Sequence, residues 1–318
     1  MSNKSNDQGR AYEYITLMTL YAEISKVRDV QIIKNSSLLA AQSAWDKMDD
    51  SIKALLSLSA QSFIPTIFEL EPLILEEEGD VVELLIQKDE QGEKGDVRDI
   101  LIVRSGIQWE IGLSMKHNHF AVKHSRLSDK IDFGEKWYGH PCSQKYWDTV
   151  LPIFENLRAA KSRGMSWNEL TAKASKVYLP LLNAFMDELG ESYDKHKDLP
   201  RRMVEYLLGE YDFYKIVSID HRRSTLINAF NLHGTLNKDG KMTKSSISLP
   251  IASLPTRIVS LQLKPDSDNT VELYMDGGWQ FSFRIHNAST MIEPSLKFDI
   301  QIIGMPATII TIDCKWRR

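Results

Sequence analysis

The sequence predicts an α/β protein with a β-rich C-terminal part. Apolar residues recur at helical spacing through the first 60 residues, as in AYEYITLMTLYAEISKV. Two strand patterns, DILIVR and IQWEIGLSMK, are joined by Ser105-Gly106, a favourable two-residue hairpin turn. From residue 214 onward, short segments rich in β-branched and aromatic residues alternate with Gly, Pro, Asn and Asp, which is typical of strands.

The elements follow in order along the chain. Residues 8–60 read as helices, and VVELLIQ reads as a strand between an acidic turn and the polar loop DEQGEKGD. After the hairpin, YWDTVLPIFENLRAA and VYLPLLNAFMDEL return to helical spacing. We therefore predict an α/β core over residues 1–212 and a β-rich subdomain over residues 213–318.

Composition points to a globular, cytoplasmic protein. Apolar content is 42% and charged content 26%, which is ordinary for such proteins. Cys142 and Cys314 are too few for a disulfide framework or a thiolate zinc site, so we expect a reducing compartment. The N-terminus MSNKSNDQGR lacks the apolar segment of a signal peptide, and no apolar run has the length of a membrane span.

Charge is distributed unevenly. Residues 1–95 hold 9 Lys and Arg against 17 Asp and Glu, whereas the rest of the chain holds 30 against 26. Four of the eight histidines fall within residues 113–145, together with six Lys or Arg and three acids. A polyanion binds to a local basic surface rather than to a basic average. The same charges are equally typical of a solvated face.

The predicted hairpin gathers polar side chains on one face. In its second strand the even positions 108–116 are polar or small, and the odd positions are apolar. With a two-residue turn, Asp99 lies opposite Gly112 and diagonal to Glu110 and Ser114. In this register Asp96 falls on the other face. Asp99 is therefore the preferred acid.

Asp99 and Lys116 suit metal-dependent cleavage of a phosphodiester. The carboxylate would hold Mg²⁺, which polarises the phosphoryl oxygen and helps to deprotonate water. The lysine would orient the attacking water and offset charge that develops on the phosphate. On pattern alone, an ordinary surface ion pair across two strands is the commoner interpretation.

The segment after Lys116 is rich in cations and imidazoles. Either it contacts phosphates near the cut or it is a hydrated basic loop. The letters HNH at 117–119 do not make a metal site, because neighbouring residues of an extended segment point in alternating directions. The candidate DNA contacts here are His117, Asn118, His119, Lys123, His124 and Arg126.

A second candidate DNA surface lies in GGWQFSFRIHNAS. Apolar residues at 279, 281, 283 and 285 alternate with Gln280, Ser282, Arg284 and His286. Arginine bound to guanine through two hydrogen bonds is the commonest specific base contact. Gln280, Arg284 and His286 are therefore candidates for base reading, and an amphipathic strand with a wet face is the alternative.

GDVRDILIV, EIGLSMKHNHFAVKHSRLS and DFGEKWYGHPCSQKYW resemble the HaeIII-type restriction endonucleases of the PD-(D/E)XK nuclease superfamily. DFYKIVSID, FNLHGTLN and EPSLKFDIQIIG extend the resemblance over most of the chain. It implies a mixed central sheet flanked by helices and a Mg²⁺-dependent type II endonuclease that cuts both strands of DNA at GGCC. It further implies that Asp99 is the first motif acid and Lys116 the motif lysine.

This chain departs from the superfamily at one position. The second acid, two residues before the lysine, is replaced by Ser114, so another carboxylate must complete the metal site. Glu13 on the first helix fits the superfamily's use of a helix acid, and Glu110 shares the face of Asp99. We favour Glu13 over Glu110.

The palindromic target suits two copies of the chain that act together about a two-fold axis, and a single copy that cuts the two strands in sequence is the alternative. The family context predicts a DNA methyltransferase as functional partner. Two alternatives remain at this stage. One is a non-catalytic sequence-specific DNA-binding protein, and the other is a metal-dependent nuclease of different specificity.

Overall fold

The N-terminal segment is helical, as predicted. The computed structural model describes residues 2–77, 79–88 and 95–317 of the chain. Helix α2 begins where the Asn35 side chain accepts a hydrogen bond from Leu38 N at 2.8 Å, which satisfies a free N–H of the first turn. The three helices are α1 (Ser2–Ile24), α2 (Ser36–Asp46) and α3 (Asp50–Leu70).

These helices pack against a seven-stranded mixed sheet. Its strand order is β1-β2-β3-β4-β6-β7-β12, with β1/β2 and β4/β6 parallel and the other pairs antiparallel. The strands are β1 (Val30–Ile32), β2 (Val82–Ile86), β3 (Ile100–Arg104), β4 (Trp109–His117), β6 (Phe213–Ile219), β7 (Ser224–Phe230) and β12 (Thr311–Lys315). The fold is therefore a mixed sheet flanked by helices, as the predicted class requires.

The core of this unit lies between one sheet face and the helices. Apolar side chains of α1 and α3, among them Leu17 and Phe63, share one buried cluster with the odd-numbered residues of β4, such as Ile111 and Leu113. Burial of this apolar surface is the main stabilising contribution. The even-numbered residues of β4 consequently face away from these helices.

The second sheet has five antiparallel strands in the order β5-β11-β10-β9-β8. These are β5 (Ala121–Ser128), β8 (Ile258–Leu263), β9 (Thr270–Met275), β10 (Gln280–His286) and β11 (Ser295–Gly304). The helices of the same unit are α4 (Phe133–Tyr138), α5 (Gln144–Ser162), α6 (Leu179–Lys195) and α7 (Leu199–Leu208). Trp137 and Phe185 of the helices contact Phe283 and Phe298 of the sheet in an aromatic core.

The chain forms two compact units that are interleaved in sequence. One comprises Met1–Phe120, Gly209–Ala252 and Ala307–Arg318, and the other Ala121–Leu208 and Ser253–Pro306. These units do not follow the predicted division at residue 212. The strands after residue 213 are divided between the two sheets, since β6, β7 and β12 lie in the first and β8 to β11 in the second. Strand β6 is buried along its whole length in the middle of the first sheet. None of the described helices has the length and apolarity needed to cross a bilayer.

Glu71, at the end of α3, anchors a long loop of the first unit. Its Oε1 accepts hydrogen bonds from Tyr214 Oη and Asn237 N, each at 2.6 Å. Its Oε2 is buried without a hydrogen-bond partner among the described residues. Burial raises the pKa of Glu71 from 4.5 to about 7, although the Tyr214 and Asn237 hydrogen bonds oppose the rise.

Replacing Glu71 with glutamine is expected to flatten the pH dependence of stability. The folded wild type keeps this proton to higher pH than the unfolded chain, so its free energy of unfolding falls as pH rises from about 4.5 to 7. The loss amounts to about 3 kcal/mol. Denaturant titrations at pH 5 and pH 8 would measure it, with exposed Glu69→Gln as control. Equal pH dependence in wild type and Glu71→Gln would contradict the assignment.

Candidate active site

The β3–β4 hairpin places Asp99 beside Ser114. Ile100 pairs with Leu113 and Arg104 with Trp109, and Asp99 N donates to Leu113 O at 2.8 Å. The predicted two-residue turn is wrong. Ser105–Ile107 form a short 3₁₀ helix followed by Gln108 at φ 52°, so the connection is longer and the register moves by two residues. A shift of two residues preserves the face, which is why Asp99 remains on the polar side.

Asp99 and Lys116 meet on that face. Lys116 Nζ lies 3.2 Å from Asp99 Oδ2, which also accepts a hydrogen bond from Met115 N at 2.6 Å and a longer one from Ser114 Oγ at 3.4 Å. Each of the two charged side chains is 27% exposed, so solvent and a substrate can reach them. The carboxylate is therefore held in position by its neighbours and remains accessible.

Glu110 lies on the same face but apart from Asp99. Its Oε1 pairs with Arg98 Nη1 at 2.7 Å, and Arg98 also pairs with Asp96. Arg98 crosses so close to Gly112 that a Cβ there would overlap it. Glu110 is four positions before Ser114, about 13 Å along the strand. The structure thus brings Glu110 to Arg98 rather than to Asp99, and Asp96 reaches this face through Arg98 instead of facing the other side.

Glu13 lies on α1, which packs against β4. It is half-buried, and its neighbour Tyr12 is fully buried, with its ring 6.5 Å from that of His117. Within the described ranges, no group of three or more His, Cys, Asp or Glu residues is arranged to hold a metal ion. Asp99 and Lys116 therefore lie together, and Asp99, Glu13 and Glu110 do not form a three-carboxylate cluster among the described residues.

His117 and Asn118, directly after Lys116, are held by Asp220. His117 Nε2 lies 2.9 Å from Asp220 Oδ2, to which Asn118 Nδ2 donates at 2.8 Å, and Asn118 Oδ1 accepts from Asp220 N at 3.0 Å. Partial burial would raise the pKa of Asp220, but the hydrogen bonds from His117 and Asn118 lower it. These contacts fix the end of β4. His119 follows in the same segment and is half-buried.

Asp220 was not found by sequence reasoning. Its only signal is its place at the end of the strand pattern YKIVSID. The parallel pairing of β4 with β6, which brings the two strand ends to one edge, was not predicted.

Residues 121–128 form strand β5, whereas one of the two interpretations of the sequence was a hydrated basic loop. Alternate side chains are buried, and the aliphatic part of Lys123 takes a position that an apolar residue would fill. Lys123 Nζ donates to Tyr206 O at 2.8 Å and lies 3.7 Å from the Tyr206 ring centroid. Burial, then Lys136, lowers the pKa of Lys123 to about 8. Arg126 is exposed and pairs with Glu293 at 3.2 Å, and the His124 side chain lies outside the described residues.

Strand β10 alternates as predicted. Its apolar side chains are fully buried, whereas Gln280 is half-buried and the Arg284 side chain is 55% exposed. Arg284 Nη2 lies 3.1 Å from Asp299 Oδ2 on β11. Burial, then the charges of Arg284 and Lys297, lowers the pKa of His286. The register places His286, Lys297 and Arg126 side by side on this polar face.

A paired acid and lysine on adjacent strands is an arrangement for hydrolysing phosphodiesters, and the relatives define the class: the protein is a restriction endonuclease, a site-specific deoxyribonuclease. A model of the HaeIII restriction endonuclease family matches residues 9–306. The type II restriction enzyme HaeIII of Haemophilus aegyptius is 55% identical over 317 residues, 99% of each chain. The chain belongs to the HaeIII restriction endonuclease family, which confirms the resemblance.

Family membership decides against the non-catalytic alternative, because the relative is named as an enzyme. It also makes DNA the substrate class. No solved structure matches the chain.

Proposed function

We propose that this chain cleaves both strands of duplex DNA within GGCC, with Mg²⁺ as cofactor, and leaves 5′-phosphate and 3′-hydroxyl ends. The observation that carries the proposal is the Asp99–Lys116 pair, accessible on one face of the hairpin. Membership in the HaeIII family supports the specificity. The mixed sheet flanked by helices supports the assignment to the PD-(D/E)XK superfamily.

The donor atoms at Asp99 fit magnesium. Asp99 Oδ2 accepts the hydrogen bonds of Met115, Ser114 and Lys116, whereas Oδ1 accepts none from the described residues. Mg²⁺ prefers oxygen ligands and is commonly held by one or two carboxylates, waters and substrate phosphate. Asp99, with Glu13 or Glu110 as second acid, would hold it. Bound there, the ion would polarise the phosphoryl group and make a water molecule more acidic.

Lys116 serves the reacting phosphate in this proposal. Its ammonium group is fixed by the Asp99 carboxylate at 3.2 Å and by the strand that carries it. A cation held in advance at this place stabilises the charge that develops on the phosphate and orients the attacking water. The neighbouring His117 and Asn118, tied to Asp220, keep the end of β4 in place.

Base and phosphate contacts are assigned to two sets of residues. The polar face of the second sheet carries Gln280, Arg284 and His286, whose donors suit guanine edges. The other set follows Lys116 and consists of His117, Asn118, His119, Lys123, His124 and Arg126. Two copies of the chain would act on the palindrome, and a methyltransferase would protect host sites.

The specificity is tested with two synthetic duplexes of equal composition, one with a single GGCC and one with GCGC in its place. We expect cleavage of the GGCC duplex only, in both strands and only with Mg²⁺. Equal cutting of both duplexes, or preferential cutting of a matched RNA duplex, would contradict the proposal and favour the nuclease of different specificity.

The second metal ligand is tested by comparing two conservative variants. Glu13→Gln is expected to lower the cleavage rate by roughly 100-fold, since it removes a ligand charge. Glu110→Gln is expected to stay within about threefold of wild type, because Glu110 is engaged by Arg98. Single-turnover rates over a range of Mg²⁺ concentrations measure both. The reverse order of effects would assign the role to Glu110.

A further inference from the structure

A second lysine lies beside the Asp99–Lys116 pair. Strand β6 runs parallel to β4, and its Lys215 is the register partner of Ser114. Cross-strand partners share a sheet face, so Lys215 lies on the face that carries Asp99, Ser114 and Lys116. Lys215 is only 5% exposed. A nearly buried lysine is unusual, because removing an ammonium group from water is costly.

The three charged groups interact. Burial, then the nearby Lys116 ammonium, lowers the pKa of Lys215 to about 7, whereas the Asp99 carboxylate opposes that fall. Lys215 Nζ also donates to Phe120 O at 2.8 Å, which directs the ammonium group to the segment after Lys116. Two lysines thus lie near one carboxylate, and the local balance is positive when all three are charged. A phosphodiester anion complements that balance.

Ser114 stands beside Lys215 where the superfamily has an acid. An acid at position 114, where the superfamily has one, would be the direct register partner of Lys215 and would neutralise it. A serine has no charge, so position 114 does not neutralise the ammonium of Lys215. The absence of an acid at position 114 and the presence of Lys215 on the neighbouring strand are therefore parts of one arrangement.

We propose that Lys215 is a second active-site lysine that contacts a non-bridging oxygen of the scissile phosphodiester. The fixed ammonium group of Lys215 supplies part of the charge stabilisation that a second cation, bound by a second acid, would provide. This inference rests on the proposed nuclease activity. The alternative is a structural role, in which Lys215 only holds the carbonyl of Phe120.

The two roles predict different stabilities. A nearly buried ammonium group has lost its hydration, so an apolar side chain of similar length in its place is expected to keep or raise stability, whereas loss of a structural tie lowers stability. We expect Lys215→Met to keep or raise the Tm and to lower the single-turnover cleavage rate by roughly 100-fold. Lys215→Arg, which keeps the charge, is expected to recover part of the rate.

A phosphorothioate experiment gives a readout that a structural role would not move. After the cut is mapped, the Rp and Sp phosphorothioates of the scissile phosphate are compared with the unmodified duplex. Contact with one oxygen predicts that sulfur at that position slows wild type and Lys215→Arg more than it slows Lys215→Met. Equal slowing in all three proteins would overturn the inference.

The other outcomes are also decisive. Lys215→Met cutting within about threefold of wild type would overturn the role of Lys215 and leave the nuclease assignment intact. Failure of Lys215→Met to fold, or a Tm that falls in step with the rate, would assign Lys215 to structure. A wild-type protein that cuts no DNA with Mg²⁺ would overturn both proposals.

Discussion

Replacing Lys116 with alanine is expected to lower the rate of DNA cleavage by about 10³-fold while leaving binding to the target duplex. The ammonium group lies 3.2 Å from Asp99, and we propose that it acts on the phosphate. Loss of one preorganised donor to a developing negative charge typically costs 10²–10³-fold, and Lys116 is also proposed to orient the water. Single-turnover cleavage measures the rate, and a gel shift with Ca²⁺ in place of Mg²⁺ measures binding.

Asp99→Asn is the companion variant. An amide oxygen still accepts the hydrogen bond from Met115 N, so the strand geometry is preserved while the charge is removed. We expect cleavage to be lost and the Tm to be retained. Cleavage by Lys116→Ala at the wild-type rate would remove this pair from the chemistry.

The second large effect is on stability. Asp80→Ala is expected to lower the free energy of unfolding by about 3–5 kcal/mol, because it removes the carboxylate with which two buried arginines pair. Asp80 Oδ1 pairs with Arg28 Nη2 at 2.7 Å and with Arg104 Nη2, and the Arg104 side chain is completely buried. Hydrogen bonding to Arg104, together with Arg28 and against partial burial, lowers the pKa of Asp80 to about 2. Denaturant titration at neutral pH measures the change.

An exposed ion pair provides the control for Asp80. Asp313 pairs with Lys315 at 2.7 Å, and both side chains are largely solvated. Asp313→Ala is expected to change the free energy of unfolding by less than about 1 kcal/mol. Because the pKa of Asp80 is depressed, its contribution is present at neutral pH and is lost as pH falls toward 2. Equal losses in the two variants would contradict the role of Asp80.

The Asp99–Lys116 pair was predictable because strand periodicity is a local property. Side chains alternate with period two, so the face of Asp99 followed from the letters of the hairpin even though its register was off by two residues. The error in register came from Gln108, which takes a left-handed conformation that the sequence does not predict. In the observed register Asp99 lies at the level of Ser114, so Glu110 is four positions away along the strand rather than diagonal to Asp99.

The second lysine and the acid at the strand end were not predictable by the same reasoning. Lys215 and Asp220 reach the end of β4 through a parallel pairing between strands that are nearly 100 residues apart. Such pairings depend on the packing of the whole sheet rather than on any local signal. Strand β5 was missed for a related reason, since Lys123 buries its aliphatic part where the pattern expects an apolar residue.

We propose that this chain is a Mg²⁺-dependent nuclease specific for GGCC, and incubation with plasmid DNA tests this activity most directly. Plasmid is treated with protein and Mg²⁺, with and without EDTA, and the ends of the products are mapped. We predict discrete fragments that form only without EDTA and that end within GGCC with 5′-phosphates. Intact plasmid, with DNA binding still visible in a gel shift, would contradict the account.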